Sequence, residues 1–271
     1  MISYAQNGED VVLRRLFPEG VGLYVDVGAN DPTHHSVTKH FYDRGWAGIN
    51  VEPEPAAFER VRAARDCDQN ANIGLSDREG TLTFYDAPAA NGWSTFSADQ
   101  AGQLRDRGVE IVERPVPVWT LAALCDRLLP AGSTIDFLKV DAESHEREVL
   151  AGGDWDRWRP RVVLIEATGF ADWGGLIEGA GYRFALFDGI NRWYVREEDA
   201  GLLPSLAAGP NFLDEYDPYE HLRQVEGLCT RLASIESLGP TALGVARALK
   251  RASGRFPRLA SAGRRLIAQA G

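Results

Sequence analysis

Gly22-Leu-Tyr-Val-Asp-Val-Gly28 is a short apolar run rich in β-branched residues that stops at glycine, the pattern of a central parallel strand buried on both faces. Outward from it, the same design recurs. Ala47-Gly-Ile-Asn-Val-Glu52 reads as a second strand halted by Pro53, and Thr134-Ile-Asp-Phe-Leu-Lys-Val-Asp141 and Val162-Val-Leu-Ile-Glu166 as two more. Helical patterns separate them, over Ser36 to Tyr42, over Phe58 to Ala64 and, after the strand ending at Asp141, through Leu150. Weaker strands are read at Asn70 to Leu75, Thr81 to Tyr85 and Val116 to Trp119. Tyr182 to Phe187 and Trp193 to Val195 flank a hairpin loop, Asp188-Gly-Ile-Asn-Arg192. Upstream, Asn7-Gly-Glu-Asp10 reads as the capped start of a short helix. Alternating strands and helices predict an α/β fold, a doubly wound and mostly parallel sheet with helices on both faces.

In such sheets ligands bind beyond the carboxyl ends of the strands, near the point where strand order reverses. Four strands here end on an acid or glycine: Asp26-Val-Gly28, Glu52, Asp141 and Glu166. A carboxylate at the end of a buried strand is costly unless a donor, a ligand or a metal satisfies it. Asp26-Val-Gly-Ala-Asn-Asp31 supplies a tight turn where glycine admits a ligand close to the backbone, but lacks the GxGxxG spacing that cradles a pyrophosphate. That weighs against a dinucleotide. Glu52 stands where the ribose-binding acid stands in nucleotide-binding sheets. Taken singly, Asp26 equally suits a helix cap and Glu52 an ordinary strand end.

Composition narrows the class. The 271 residues carry 44% hydrophobic and 25% charged residues, ordinary for a globular chain, and a net charge of −10. Seven arginines and lysines and no acid follow Thr241, so the remainder carries −17, which argues against nucleic acid as a partner. Cys67, Cys125 and Cys229 form no paired framework and no zinc motif, which suits a reducing, cytoplasmic setting. No stretch is apolar enough to span a membrane. The basic tail is open to contact with an anionic membrane surface or with another copy, although its glycines and Pro257 favour a solvated extension.

Ser3-Tyr-Ala-Gln-Asn-Gly-Glu-Asp10, Asp26-Val-Gly-Ala-Asn30, Arg44-Gly-Trp-Ala-Gly-Ile-Asn-Val-Glu-Pro53, Phe137-Leu-Lys-Val-Asp-Ala-Glu143 and Val163-Leu-Ile-Glu166 occur in an order and spacing that resemble FkbM-type methyltransferases. The Gly181-Tyr182 pair and Phe187-Asp-Gly-Ile-Asn-Arg192 are similar to a block of members associated with sugar methylation. The likeness runs from about residue 2 to 217, so residues 1–217 are read as the methyltransferase domain and 218–271 as a helical, partly basic extension. It implies a seven-stranded sheet, S-adenosylmethionine as cofactor and O-methyl transfer to a sugar or glycan hydroxyl. The alternatives are a polyketide or other secondary-metabolite hydroxyl, or a catalytically silent module of the same fold. By resemblance Asp26, Gly28 and Asn30 hold the methionine part, Glu52 the ribose, Asn72 and Ile73 lie near adenine, and Asp141 also contacts the cofactor. Gln6 and Glu9 would close over the cofactor, and Ser94 belongs to a covering loop.

A sugar hydroxyl is nearly as weak an acid as water, whose pKa is about 15.7, so methyl transfer needs a base or a metal. His145, just past the strand ending at Asp141, is the candidate base, and the departure Ser144-His145 stands where the family usually has glycine and then a small or aromatic residue. Asp141 is the second catalytic candidate, either bonding the acceptor hydroxyl or joining Glu166 around Mg²⁺. His34, His35, Asp188, Asn191 and Arg192 are the candidate contacts to substrate.

Overall fold

The structure is a computed structural model that describes residues 1–90, 92–167 and 173–237, without the side chains of 235–237. In chain order the first half comprises β1 (Ile2–Ser3), α1 (Glu9–Leu16), β2 (Leu23–Val27), α2 (Lys39–Tyr42), β3 (Ala47–Val51), α3 (Pro55–Ala64), β4 (Gln69–Ala71), β5 (Gly74–Leu75) and β6 (Gly80–Asp86). There follow α4 (Ala98–Asp106), β7 (Val112–Trp119), α5 (Leu121–Leu128), β8 (Phe137–Val140), α6 (Glu146–Ala151), β9 (Val162–Glu166), α7 (Gly174–Gly179), β10 (Tyr182–Phe187) and β11 (Asn191–Arg196). Two 3₁₀ stretches, β12 (Asp217–Pro218) and α8 (Tyr219–Ser237) complete it.

The main sheet has seven strands in the order β10-β11-β9-β8-β2-β3-β4, and β11 alone runs against its neighbours. This is the doubly wound, mostly parallel sheet expected from the sequence. Its central strands are buried on both faces because alternate side chains enter two cores. Val25, Val27, Leu138, Val140, Val163 and Ile165 pack with residues of α5, α6 and α7. Tyr24, Phe137, Val162 and Leu164 pack instead with Val12, Leu13 and Leu16 of α1 and with Phe41 and Trp46. Thr120 and Ser97 cap α5 and α4, and Glu54 caps α3 with Pro55 in its first turn, so each of these helices starts where a side-chain oxygen meets free N–H groups.

Three expectations need correction. The helix read over Ser36 to Tyr42 is only Lys39–Tyr42, because Asp31 ties the amides of Thr33 and His34 into a turn and His35 is left-handed at φ 56. The strand read over Asn70 to Leu75 is two strands in different sheets, broken where the Asn72 side chain donates to the carbonyls of Glu52 and Pro53. Val116 to Trp119 is the end of an eight-residue strand that pairs with β6 and β5 in a separate three-stranded sheet. Its beginning was hidden by Pro115 and Pro117, whose two-residue spacing removes donors from one edge alone.

The chain divides into two units, Met1–Pro218 and Tyr219–Gly271, and α8 is the described part of the second. The basic residues from Arg247 onward lie outside the described residues. Among the described residues no helix is long and apolar enough to cross a membrane.

Candidate functional site

The chain lays β3 and β4 on one side of β2 and then returns to lay β8 and β9 on the other, so the order reverses between β2 and β8. At that crevice Gly28 turns at φ 77, and the amides of Gly28 and Ala29 both donate to the carbonyl of Val51. A Cβ on Gly28 would lie 2.0 Å from the carbonyl oxygen of Asp141, so the backbones at the ends of β2 and β8 touch here. Lys139, directly across from Asp26 in the β2–β8 register, fixes this junction. Its ammonium donates to the Gly28 carbonyl at 2.7 Å and is ion-paired with Asp26 at 3.4 Å and Asp141 at 3.3 Å. Burial opposes the charge of Lys139, but Asp141 and Asp26 more than offset this and hold the ammonium protonated.

Glu52, at the end of β3, is 6% exposed. Its carboxylate accepts from the Asn30 amide at 2.7 Å and the Glu54 amide at 2.8 Å, and burial pushes it up to about 7. Gly28, Asn30, Glu52 and Asp141 form the polar end of a cavity of about 250 Å³, and Leu75, Phe84, Phe96 and Val149 line its apolar side. Ser94 lines it too, held by Asp86 and by the Ala87 amide, which donates to its Oγ.

Beside Asp141 the backbone takes left-handed values at two consecutive non-glycine residues, Glu143 (φ 49) and Ser144 (φ 73). This turn carries Glu143 back toward the sheet. Carboxylate oxygens of Asp141, Glu143 and Glu166 all lie within 4.8 Å of one another. Burial, then Asp141, raises Glu143 to about 7, and burial followed by Asp141 and Glu143 raises Glu166 to about 9. Among the described residues no donor reaches the buried Oε2 of Glu166, whose carboxyl faces that of Asp141.

A family model described as the methyltransferase FkbM domain matches residues 26–200. The chain belongs to this family. No curated protein matches it. Among solved structures, a TehB-like SAM-dependent methyltransferase from Corynebacterium glutamicum is 9% identical over 70% of this chain and 88% of its own, with a TM-score of 0.37. Precorrin-6y C5,15-methyltransferase from Geobacter metallireducens is 13% identical over 70% and 87%, with a TM-score of 0.39. At such scores neither adds to the family assignment.

Within this FkbM-family site several expected residues stand elsewhere. Asp26 does not line the cavity: it is 2% exposed, accepts from the Thr38 hydroxyl and reaches the site only through Lys139. Gln6 is exposed, and Glu9 is buried against Asn191, whose amide donates to it at 2.8 Å; neither lines the cavity. Ile73 packs in the core, and Asn72 braces the Glu52–Pro53 backbone from behind; their neighbours Gly74 and Leu75 are the ones that face the cavity.

The substrate and base candidates change more. His145 lines neither opening, because the left-handed turn at Glu143 and Ser144 sends it under β5. There Nε2 lies 3.1 Å from the Ser76 hydroxyl, the ring packs on Phe96, Nδ1 pairs with Glu148, and burial lowers its pKa. It is a poor base for a group in the cavity. Asp188 accepts from the amides of Ile190 and Asn191, from the Asn191 side chain and from the Trp193 indole, so its oxygens shape the hairpin. Arg192 lies over the Trp173 ring, 5.8 Å from its centroid. His34 and His35 stack on each other at 3.8 Å, outside the cavity lining.

Two predictions arise here. Ser144→Gly is expected to raise stability by roughly 0.5–1 kcal/mol, since relief of left-handed strain of ~1–2 kcal/mol outweighs glycine's greater unfolded-state entropy. Urea unfolding measures it, and an unchanged midpoint would refute the strain. The pH prediction concerns Glu9 and Asp10 (each about 6), Glu52 and Glu143 (each about 7) and Glu166 (about 9), all raised chiefly by burial. The folded chain keeps protons that the unfolded chain releases, so their stabilising contribution is complete below the ordinary carboxylate value and is lost as pH rises. The Tm of the ligand-free protein should therefore fall between about pH 4.5 and 9, by roughly 2–4 °C per kcal/mol lost. A thermal scan showing Tm rising over that interval would contradict the burial of these acids.

Proposed function

We propose that the chain is an S-adenosylmethionine-dependent O-methyltransferase whose acceptor is a hydroxyl of a sugar or glycan. The observation that carries this reading is the junction of a cavity at the carboxyl ends of β2, β3 and β8 with a trio of acids, Asp141 and Glu143 lining the cavity and Glu166 beside them. The sugar as acceptor rests further on the resemblance of the Phe187 to Arg192 block.

The cavity suits the cofactor by its chemistry. Gly28 leaves space beside backbone that a Cβ would fill, Glu52 is a buried acceptor for paired ribose hydroxyls, and the Leu75, Phe84, Phe96 and Val149 wall accommodates a flat base. When bound, S-adenosylmethionine supplies a methyl group activated on a sulfonium. The chain's own work is to hold the acceptor oxygen in line with that group and to take its proton. Alignment alone contributes up to roughly 7–11 kcal/mol. Asp141 and Glu143, bordering the cavity, are the carboxylates placed to orient and deprotonate the hydroxyl.

The same acids fit Mg²⁺, which prefers oxygen donors, and a cation there would relieve the crowding of carboxylates that helps to raise Glu166. Asp141, Glu143 and Glu166 would hold the ion, whose Lewis acidity lowers the pKa of a bound hydroxyl. The test is to titrate the enzyme with S-adenosylmethionine by calorimetry and to follow label from the methyl group into a panel of glycan fragments, with and without EDTA. Saturable cofactor binding and labelled saccharide are expected. Binding with label entering only non-saccharide hydroxyls would refute the sugar acceptor, and undiminished turnover after exhaustive EDTA treatment would remove the metal.

A further inference from the structure

The described part of the second unit is one helix, α8 (Tyr219–Ser237), and from Arg223 to Ser234 every residue of it is exposed. A helix of this length ordinarily draws its stability from burying one apolar face, because isolated helices are marginal in water. Such a face exists on α8. Val225, Leu228 and Leu232 follow one another at intervals of three and four residues, and they are 56%, 64% and 56% exposed. Apolar residues scattered singly over a surface need no explanation, but a stripe of three on a helix with no other packed face calls for a partner.

The length of α8 argues against a second copy as that partner. A coiled-coil seam keeps its three-and-four spacing over at least three to four heptads. With 19 residues α8 falls short of three, and Gly227 interrupts it. Charge points to another occupant. Through Ser234 the helix is balanced, Arg223 and Arg231 against Glu220 and Glu226, whereas after Thr241 seven arginines and lysines follow without an acid. An apolar stripe joined to a run of cations supplies the two signals that together hold a chain on an anionic bilayer, since the stripe enters the acyl boundary and the cations meet the headgroups. The glycines and Pro257 of the tail are no obstacle, because attraction to headgroups needs charge and not a helix. The remainder of the chain, at −17, is repelled by such a surface, which leaves the contact to the C-terminal unit.

We infer that α8 and the basic stretch after it dock the protein on an anionic membrane surface, with Val225, Leu228 and Leu232 entering the lipid. The inference is independent of the cavity and of the methyltransferase reading, and it places no residue of the first unit in the contact.

The test is co-sedimentation of the full chain with vesicles of phosphatidylcholine alone and of phosphatidylcholine with about a quarter phosphatidylglycerol. Wild type is compared with a helix variant, Leu228→Gln with Leu232→Gln, and a tail variant, Arg247→Gln with Lys250→Gln and Arg251→Gln. Glutamine is a good helix former and both leucines are exposed, so the helix variant should keep the circular dichroism of wild type. Wild type is expected to sediment with the anionic vesicles only, and less so as salt is raised. The tail variant should bind them about 100-fold more weakly, roughly fivefold per charge removed. The helix variant should lose at least about tenfold. Absence of wild-type sedimentation overturns the inference, as does equal sedimentation with phosphatidylcholine alone or wild-type binding by either variant. Light scattering that shows a dimer lost in the helix variant assigns the stripe to a second copy and likewise overturns it.

Discussion

Replacing Gly28 with alanine is expected to weaken S-adenosylmethionine binding by at least about 100-fold, equivalent to ~2.7 kcal/mol. Two independent effects act in the same direction. Gly28 sits at φ 77, where a side chain costs ~1–2 kcal/mol, and its Cβ would stand 2.0 Å from the Asp141 carbonyl oxygen. The overlap is with backbone, so no rotamer change relieves it. The ends of β2 and β8 must part, which pulls the Gly28 carbonyl from Lys139 and moves Asp141, one of the acids at the rim. Calorimetric titration of the folded variant measures the loss, with circular dichroism to establish that the sheet persists. Wild-type affinity in the variant would mean that the cofactor does not approach this turn.

Lys139→Met is expected to destabilise the fold by about 3–5 kcal/mol, the range for removing one partner of a buried ion pair. Lys139 is 8% exposed and stands between Asp26, itself 2% exposed, and Asp141. Methionine fills similar volume, so the penalty is chiefly that of leaving two carboxylates without their cation. Asp26 keeps only the Thr38 hydroxyl. Urea denaturation gives the magnitude, and the double variant Lys139→Met with Asp26→Asn should recover part of it. A loss below about 1 kcal/mol would place Lys139 among pairs of surface strength.

Much of the fold was legible because its signals are local. A run such as Leu23 to Val27 advertises a doubly buried strand through β-branched residues, and the acid or glycine that ends it marks the ligand edge of the sheet. Glu52 and Gly28 could be picked out on that basis, and the structure places both in the cavity wall. Lys139 has no such local signal, because its importance depends on standing opposite Asp26, 113 residues earlier, in the β2–β8 register. In sequence His145 is the more conspicuous candidate than Glu143, two residues before it. Sequence proximity cannot show that φ turns positive at Glu143 and Ser144 and sends the two side chains to opposite sides of the turn. A glycine where this chain has Ser144 was the available hint of a left-handed position.

The substrate candidates show the same limit. Asp188 and Asn191 looked like ligands because polar residues cluster there, but a hairpin needs those groups for its own amides and for the Trp193 indole. The sequence by itself determined the alternation of strands and helices, the buried core strands and the acids at their carboxyl ends, because backbone periodicity and desolvation act within a few residues. Which acids meet and which histidine turns away were decided by tertiary structure. Those outcomes depend on strand register between segments tens of residues apart and on a left-handed turn that no local pattern announces.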